Sequence, residues 1–166
     1  VFVDTLINMG ADISIQNMSS PKYGIQSCDI TVKYRDSLKG TNIQGDKVIA
    51  MIDEIPIFCI VACFAKGASV IKDAEELKSK ESDRMHAMYD NLHNMKAAIS
   101  MAGDIITIKG QNMLYNTSIN HFNDHRIAMA FEIIRLVIGR DMSYEYADII
   151  DISFPGFYDT MDTLIS

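Results

Sequence analysis

Leu6-Ile7-Asn8-Met9-Gly10-Ala11-Asp12-Ile13-Ser14-Ile15 returns later in the chain as Leu92-His93-Asn94-Met95-Lys96-Ala97-Ala98-Ile99-Ser100-Met101. The first copy reads as the end of a helix, Phe2 to Met9, followed by a strand, Ala11 to Ile15. After each copy comes a second strand of similar pattern, Asp29-Ile30-Thr31-Val32-Lys33 in one case and Ile105-Ile106-Thr107-Ile108-Lys109 in the other. The chain therefore repeats a supersecondary unit. A second correspondence links Asp53, ahead of the apolar helix Ile55 to Ala65 and Gly67, with Asp124, ahead of the helix Ile127 to Ile138 and Gly139. Asp suits a helix start and Gly a helix stop, and a β-rich stretch is expected after each, Ala68 to Ile71 and Met142 to Tyr146. The unit is thus helix, strand, helix, strand, strand. Successive units of this kind predict an α/β (α+β) domain in which sheets and helices pack in layers. The expected divisions are 1–46 for the end of one unit, 47–110 for a second and 111–166 for a final one, which closes on a short helix from Phe157 to Leu164. A chain that opens mid-unit at Val1 without methionine is expected to be part of a longer protein.

At 166 residues, 48 % hydrophobic and 22 % charged, the chain can bury a real core. Its formal charge of −7 argues against nucleic acid as a partner. It also makes local basic clusters informative, because an acidic protein that binds an anion must gather its Lys and Arg at the site. The longest apolar run, Ile55 to Ala65, is too short to cross a bilayer, so no membrane association and a cytoplasmic location are expected. Cys59 and Cys63 share one face of a predicted buried helix and read as reduced core thiols. No spacing suggests a metal site, and no glycine loop of the Walker type is present. The eleven methionines are most simply core filler, and His86, His93 and His121 read as helix-face or surface residues.

Lys80-Glu81-Ser82-Asp83-Arg84 places two cations and a carboxylate at the mouth of a patterned helix. From Ser82 onward Met85, Met88, Tyr89, Leu92 and Met95 recur at steps of three or four, with Asp83, Arg84, His86, Asp90 and Asn91 read as lying off that face. Ser82 is the expected N-cap. A helix N-terminus carries about half a positive charge, so an arginine in the first turn sits against the dipole unless an anion joins it. A solvated face, on which Glu81 and Asp83 neutralise the cations, explains the same residues. Asn123-Asp124-His125-Arg126 repeats the arrangement at another helix start. Asp53 in Ile52-Asp53-Glu54-Ile55-Pro56 suits a helix cap, and suits equally a carboxylate held at the rim of the core in low dielectric, able to take a proton from a hydroxyl. If the helix N-termini face a common cleft, Arg84, Arg126 and Lys80 converge on one anion while Asp53 and Glu81 face the reacting atoms.

Taken in order, Ile52-Asp53-Glu54-Ile55-Pro56, Phe64-Ala65-Lys66-Gly67, Glu75-Glu76-Leu77, Lys80-Glu81-Ser82-Asp83-Arg84, Asp124-His125-Arg126-Ile127-Ala128-Met129-Ala130 and Ser153-Phe154-Pro155-Gly156-Phe157 resemble the 5-enolpyruvylshikimate-3-phosphate synthases. The resemblance is collinear and runs the length of the chain. The related UDP-N-acetylglucosamine enolpyruvyl transferases share that fold without the Lys-Glu-Ser-Asp-Arg block. The resemblance implies transfer of the enolpyruvyl group from phosphoenolpyruvate to the 5-hydroxyl of shikimate 3-phosphate, with loss of phosphate and with no metal or organic cofactor. It implies a two-domain enzyme of the shikimate pathway with the enolpyruvyl transferase fold, each domain built from three copies of a βαβαββ unit with mixed sheets packed against buried helices, in which this chain supplies part of one domain and an N-terminal domain supplies most of the shikimate 3-phosphate site. By motif, Asp53 would act as base, Glu81 as proton carrier, and Arg84 and Arg126 as the phosphoenolpyruvate clamp. Lys80 and His125 would line the site, which in the family also takes glyphosate. Many members carry a lysine just before Ser/Thr-Phe-Pro, where this chain has Ile152, so the last motif is not assigned to the site. A non-catalytic repeat domain, and a transferase with another acceptor such as a UDP-sugar, are the alternatives. Keeping Asp53, Glu81, Arg84 and Arg126 together disfavours the first, since uncompensated charges are costly near a core.

Overall fold

A computed structural model describes residues 1–20, 27–110 and 113–165. Helix α1 (Phe2–Asn8) leads into the antiparallel hairpin of β1 (Asp12–Gln16) and β2 (Asp29–Lys33), and helix α4 (Arg84–Asn94) leads into that of β5 (Ala98–Ala102) and β6 (Ile105–Lys109). The two copies agree down to their bonds. Asp12 faces Lys33 and Gln16 faces Asp29, while the matching residues Ala98 and Lys109, Ala102 and Ile105 face each other in the later hairpin. Both helices end in a left-handed residue, Gly10 at φ 100° and Lys96 at φ 65°. In both, the next N–H returns to the last turn, Ala11 to the Leu6 carbonyl and Ala97 to that of Leu92. That is the closure expected when a helix stops and the chain turns sharply into a strand.

Between the hairpins lie β3 (Asn42–Ile43), the short helix α2 (Asp46–Ala50), α3 (Ile55–Phe64), β4 (Ala68–Ile71) and a 3₁₀ turn over Glu75–Ser79. From β3 to β6 the principal elements read β, α, β, α, β, β. They form one four-stranded sheet of order β3-β4-β6-β5, parallel at β3/β4 and antiparallel elsewhere. The mixed sheet and buried helices agree with the expected fold class. Helix α3 is apolar nearly all round because it is covered nearly all round: Ile55, Phe58, Cys59, Ile60, Ala62 and Cys63 are buried. Each such large side chain contributes roughly 1.5–3 kcal/mol. Cys59 and Cys63 are free thiols, as expected. Burial raises the Cys59 pKa and pushes that of Cys63 up to about 12, so neither is a ready nucleophile. The sheet and α3 meet closely at Gly110, where an added Cβ would lie 1.7 Å from the Ala65 carbonyl oxygen.

Helices α5 (His125–Val137), α6 (Ala147–Ile150) and α7 (Phe157–Ile165) complete the described chain. Gly139, at φ 72°, stops α5 as expected. The Gly139 and Arg140 N–H groups return to the Leu136 and Arg135 carbonyls. Gly67 does not cap α3, which ends at Phe64 and passes through an extended Ala65. The expected strand from Met142 to Tyr146 is absent. There the buried Glu132 carboxylate draws in both the backbone N–H and the hydroxyl of Ser143, and Tyr144 takes a left-handed backbone, so the segment wraps onto α5. The division placed at residue 111 lies outside the described residues. Among those residues, no helix is long and apolar enough to cross a membrane.

Candidate functional site: a buried arginine among three carboxylates

Three helix N-termini meet at the site. Asp53 immediately precedes the cap of α3, Arg84 opens α4, and Arg126 is the second residue of α5. The three helix starts are brought together at these residues, and their dipoles favour negative charge between them. The charges that meet there belong to the chain itself.

Arg84 is only 1 % exposed and each nitrogen of its fork has a carboxylate partner. Its Nε donates to Asp124 Oδ2 at 2.8 Å, Nη1 to Asp53 Oδ1 at 3.0 Å and Nη2 to Glu81 Oε2. Arg126 reaches the same aspartate from the other side, with Nη2 3.0 Å from Asp53 Oδ2 and Nη1 donating to the Asp53 carbonyl. Asp53 is thus a carboxylate bridging two guanidinium groups. This differs from the sequence expectation in two respects. The cap position of α3 is Glu54, with no side-chain bond, and the Asp53 carboxylate is 44 % exposed, so ion pairing governs it and low dielectric does not. Arg84 was expected off the apolar face, yet it lies four residues before Met88 and so on the buried stripe. Asn91, three residues after Met88, is buried for the same reason.

The residues around α4 also change roles. Asp83 is the N-cap, its Oδ1 accepting from the His86 N–H at 3.1 Å, where Ser82 had been expected. The Ser82 hydroxyl donates instead to Asp124 Oδ2 at 3.0 Å. Asp124 caps α5 as predicted, its Oδ1 accepting from the Arg126 N–H. It also proves to be the fully buried partner of Arg84, which the sequence reading missed. The loop before it is held by Asn91, whose amide bonds both the carbonyl and the N–H of Asn120, and by two successive left-handed residues, Phe122 and Asn123. Lys80 stands exposed with no ion pair among the described residues, and His125 is half-buried at the start of α5. His86 and His93 are exposed and His121 is half-buried. Beside Asp53 and Arg126 opens an apolar cavity of about 220 Å³, lined by Pro56, Ile57, Met129, Ile133, Phe154 and Phe157. Ile152 lies away from it, 76 % exposed.

Three carboxylates against two guanidinium groups leave the cluster one negative charge in excess. Burial opposes the charged form of Asp124, but the hydrogen bond and charge of Arg84, with the Arg126 N–H and Ser82 hydroxyl, outweigh it and hold the carboxyl below its usual 3.8. Burial likewise disfavours charged Arg84, and its bonds to Asp124 and Asp53 outweigh that in turn, raising its pKa. A carboxyl depressed in the folded state stabilises at pH above 3.8, and that contribution is lost as pH falls through the lower folded value. Arg84→Met removes the compensating charge and should destabilise the protein by about 3–5 kcal/mol at neutral pH. The gap between variant and parent, measured as urea midpoints, should narrow below pH 4 as Asp124 takes up a proton. An equal gap at pH 3 and pH 7 would contradict this assignment.

Comparison with known proteins places this geometry in context. The family described as EPSP synthase (3-phosphoshikimate 1-carboxyvinyltransferase) matches residues 1–161. The chain is 42 % identical over 163 residues to the 3-phosphoshikimate 1-carboxyvinyltransferase of Thermodesulfovibrio yellowstonii, covering 98 % of this chain and 38 % of that protein. It is 38 % identical over 165 residues to the enzyme of the same name from Persephonella marina, covering 99 % and 38 %. A solved EPSP synthase from Acinetobacter baumannii superposes with a TM-score of 0.86 at 32 % identity, over 97 % of this chain and 38 % of that one. The enolpyruvyl transferase NikO of Streptomyces tendae, at 11 % identity and TM-score 0.58 over 99 % and 34 %, is alike in fold alone. The chain spans about 38 % of the length of the named relatives it matches.

Proposed function

The chain belongs to the EPSP synthase family, and from that premise we propose that the longer protein of which it forms part transfers the enolpyruvyl group of phosphoenolpyruvate to the 5-hydroxyl of shikimate 3-phosphate. In this reading Asp53 takes the proton of the attacking hydroxyl as its oxygen bonds C2 of the enol, and Glu81, released from Arg84 by the arriving anion and entering the step in its acid form, delivers its proton to C3. Glu81 then recovers a proton from the resulting methyl group as the bond from C2 to phosphate oxygen breaks, and the departing phosphate takes the proton held by Asp53, which returns both carboxyl groups to their starting forms. The fork edges of Arg84 and Arg126 hold the phosphoenolpyruvate anion, and Lys80 and His125 line the site. A planar fork suits carboxylate and phosphate alike, and fixed cations facing the charge that develops in the intermediate are the largest source of stabilisation open to such a site. No metal or organic cofactor enters these steps.

The observation that carries this reading is the bridge of two guanidinium groups across the Asp53 carboxylate, with Glu81 on the same arginine. Two arginines aimed at one carboxylate at the junction of three helix starts form a place suited to an anion, and base and proton carrier stand beside it. We further assign the unit divisions 1–46, 47–110 and 111–166, a cytoplasmic location, a role in aromatic amino acid synthesis, competition by glyphosate for the same anion site, and the remaining length of the protein as the supplier of most shikimate 3-phosphate contacts.

The test is phosphate release from phosphoenolpyruvate with shikimate 3-phosphate, assayed on this chain alone and on the protein extended to the length of its relatives. The extended protein should turn over and the isolated chain should stay at background. Turnover by the isolated chain, or none by the extended protein, would count against the proposal.

A further inference from the structure

Both arginines of the site hang from one carboxylate that lies behind them. Asp124 is 0 % exposed, and its two oxygens accept from three donors: Arg84 Nε at 2.8 Å, the Ser82 hydroxyl at 3.0 Å and the Arg126 N–H at 2.9 Å. Nε is the inner edge of the guanidinium, so a bond there fixes the plane of the fork and leaves Nη1 and Nη2 to face Asp53 and Glu81. Those two outer partners are 44 % and 51 % exposed and have room to leave when an anion arrives. Asp124 has none. Its other oxygen meanwhile sets the first turn of α5 and with it the origin of the Arg126 side chain.

We infer that Asp124 is the positioning residue of the anion site, aligning Arg84 through Nε and Arg126 through its backbone, with Ser82 holding Asp124 in turn. This role rests on the enolpyruvyl reading and deepens it. Asp124 touches no substrate. It acts by keeping two forks in register after Asp53 and Glu81 have let go, when nothing else described here fixes the inner edge of Arg84.

Asp124→Asn separates this role from a purely structural one. The amide keeps the size of the side chain but has one accepting oxygen, so it satisfies either Arg84 Nε or the Arg126 N–H and turns a donor toward the other. In the extended protein it should raise the KM for phosphoenolpyruvate on the order of tenfold to a hundredfold while leaving that for shikimate 3-phosphate within about twofold. A residue that only stabilises the fold would lower the urea midpoint without separating the two constants. Should Asp124→Asn fold poorly, Ser82→Ala removes a single hydrogen bond. It should raise the phosphoenolpyruvate KM roughly twofold to fivefold, and Ser82→Thr should restore it. Equal changes in both KM values in folded variants overturn the inference. So does an Arg84 Nε–H that exchanges with solvent no faster in Asp124→Asn than in the parent, as read by arginine-labelled NMR without any turnover. A parent protein that releases no phosphate overturns the enolpyruvyl reading itself, and this role with it.

Discussion

Asp53→Asn should bind phosphoenolpyruvate more tightly than the parent while losing turnover by a factor on the order of 10² to 10⁴. The two effects have one origin. Asp53 sits between Arg84 and Arg126 with each oxygen about 3.0 Å from a guanidinium nitrogen, where it occupies the edges proposed to take the substrate anion. An arriving anion must displace it and must do so against a cluster that already carries one excess negative charge. The amide removes that competitor and brings the cluster to neutrality, so the dissociation constant should fall several-fold, more at low salt than at high. The same substitution removes the group proposed to take the hydroxyl proton. Weaker phosphoenolpyruvate binding in the variant, measured calorimetrically at low ionic strength, would show that Asp53 does not stand in the anion's place.

Glu81→Gln should reduce kcat by a comparable factor, about 10² to 10⁴, with substrate dissociation constants close to those of the parent. Glu81 is half exposed and bonded to Arg84 Nη2, so its loss removes one of three partners of the buried Arg84 and leaves it paired to Asp124 and Asp53. Stability should change little, because one partly exposed ion pair contributes about 1 kcal/mol or less. A variant with nearly normal kcat would remove Glu81 from proton transfer. One with impaired binding as well would make it a substrate contact.

The hairpins and the helices before them were legible because their pattern is local: strand alternation after a helix end is visible in ten residues, and the second copy confirms the first. Buried α3 was legible from its uninterrupted apolar run. The missing strand at Met142 to Tyr146 was not, since its fate depends on Glu132, a charged residue on an apolar helix whose backbone partner lies eleven positions away in the loop. In the site, the residue types and helix-start positions point to an anion from the sequence alone. The pairing did not follow. Arg84 was placed on the polar face by its charge, although its four-residue spacing to Met88 puts it on the buried one. Asp124, read only as a cap, is its partner across a loop whose path depends on Asn91 and on two left-handed residues. A charge on the apolar stripe of one helix and an aspartate at the start of another are the sequence signals that could have joined them.

The proposed function requires that the outer edges of Arg84 and Arg126 form one clamp for phosphoenolpyruvate. It is tested most directly by the dissociation constant of phosphoenolpyruvate in the presence of shikimate 3-phosphate, for the extended protein and its Arg126→Met variant. Arg126 is a third exposed and bonds Asp53 from the open side, so its removal should leave the fold intact. Binding should weaken on the order of tenfold to a hundredfold, the range of a hydrogen bond to a charged group. Equal affinity in parent and variant would contradict it.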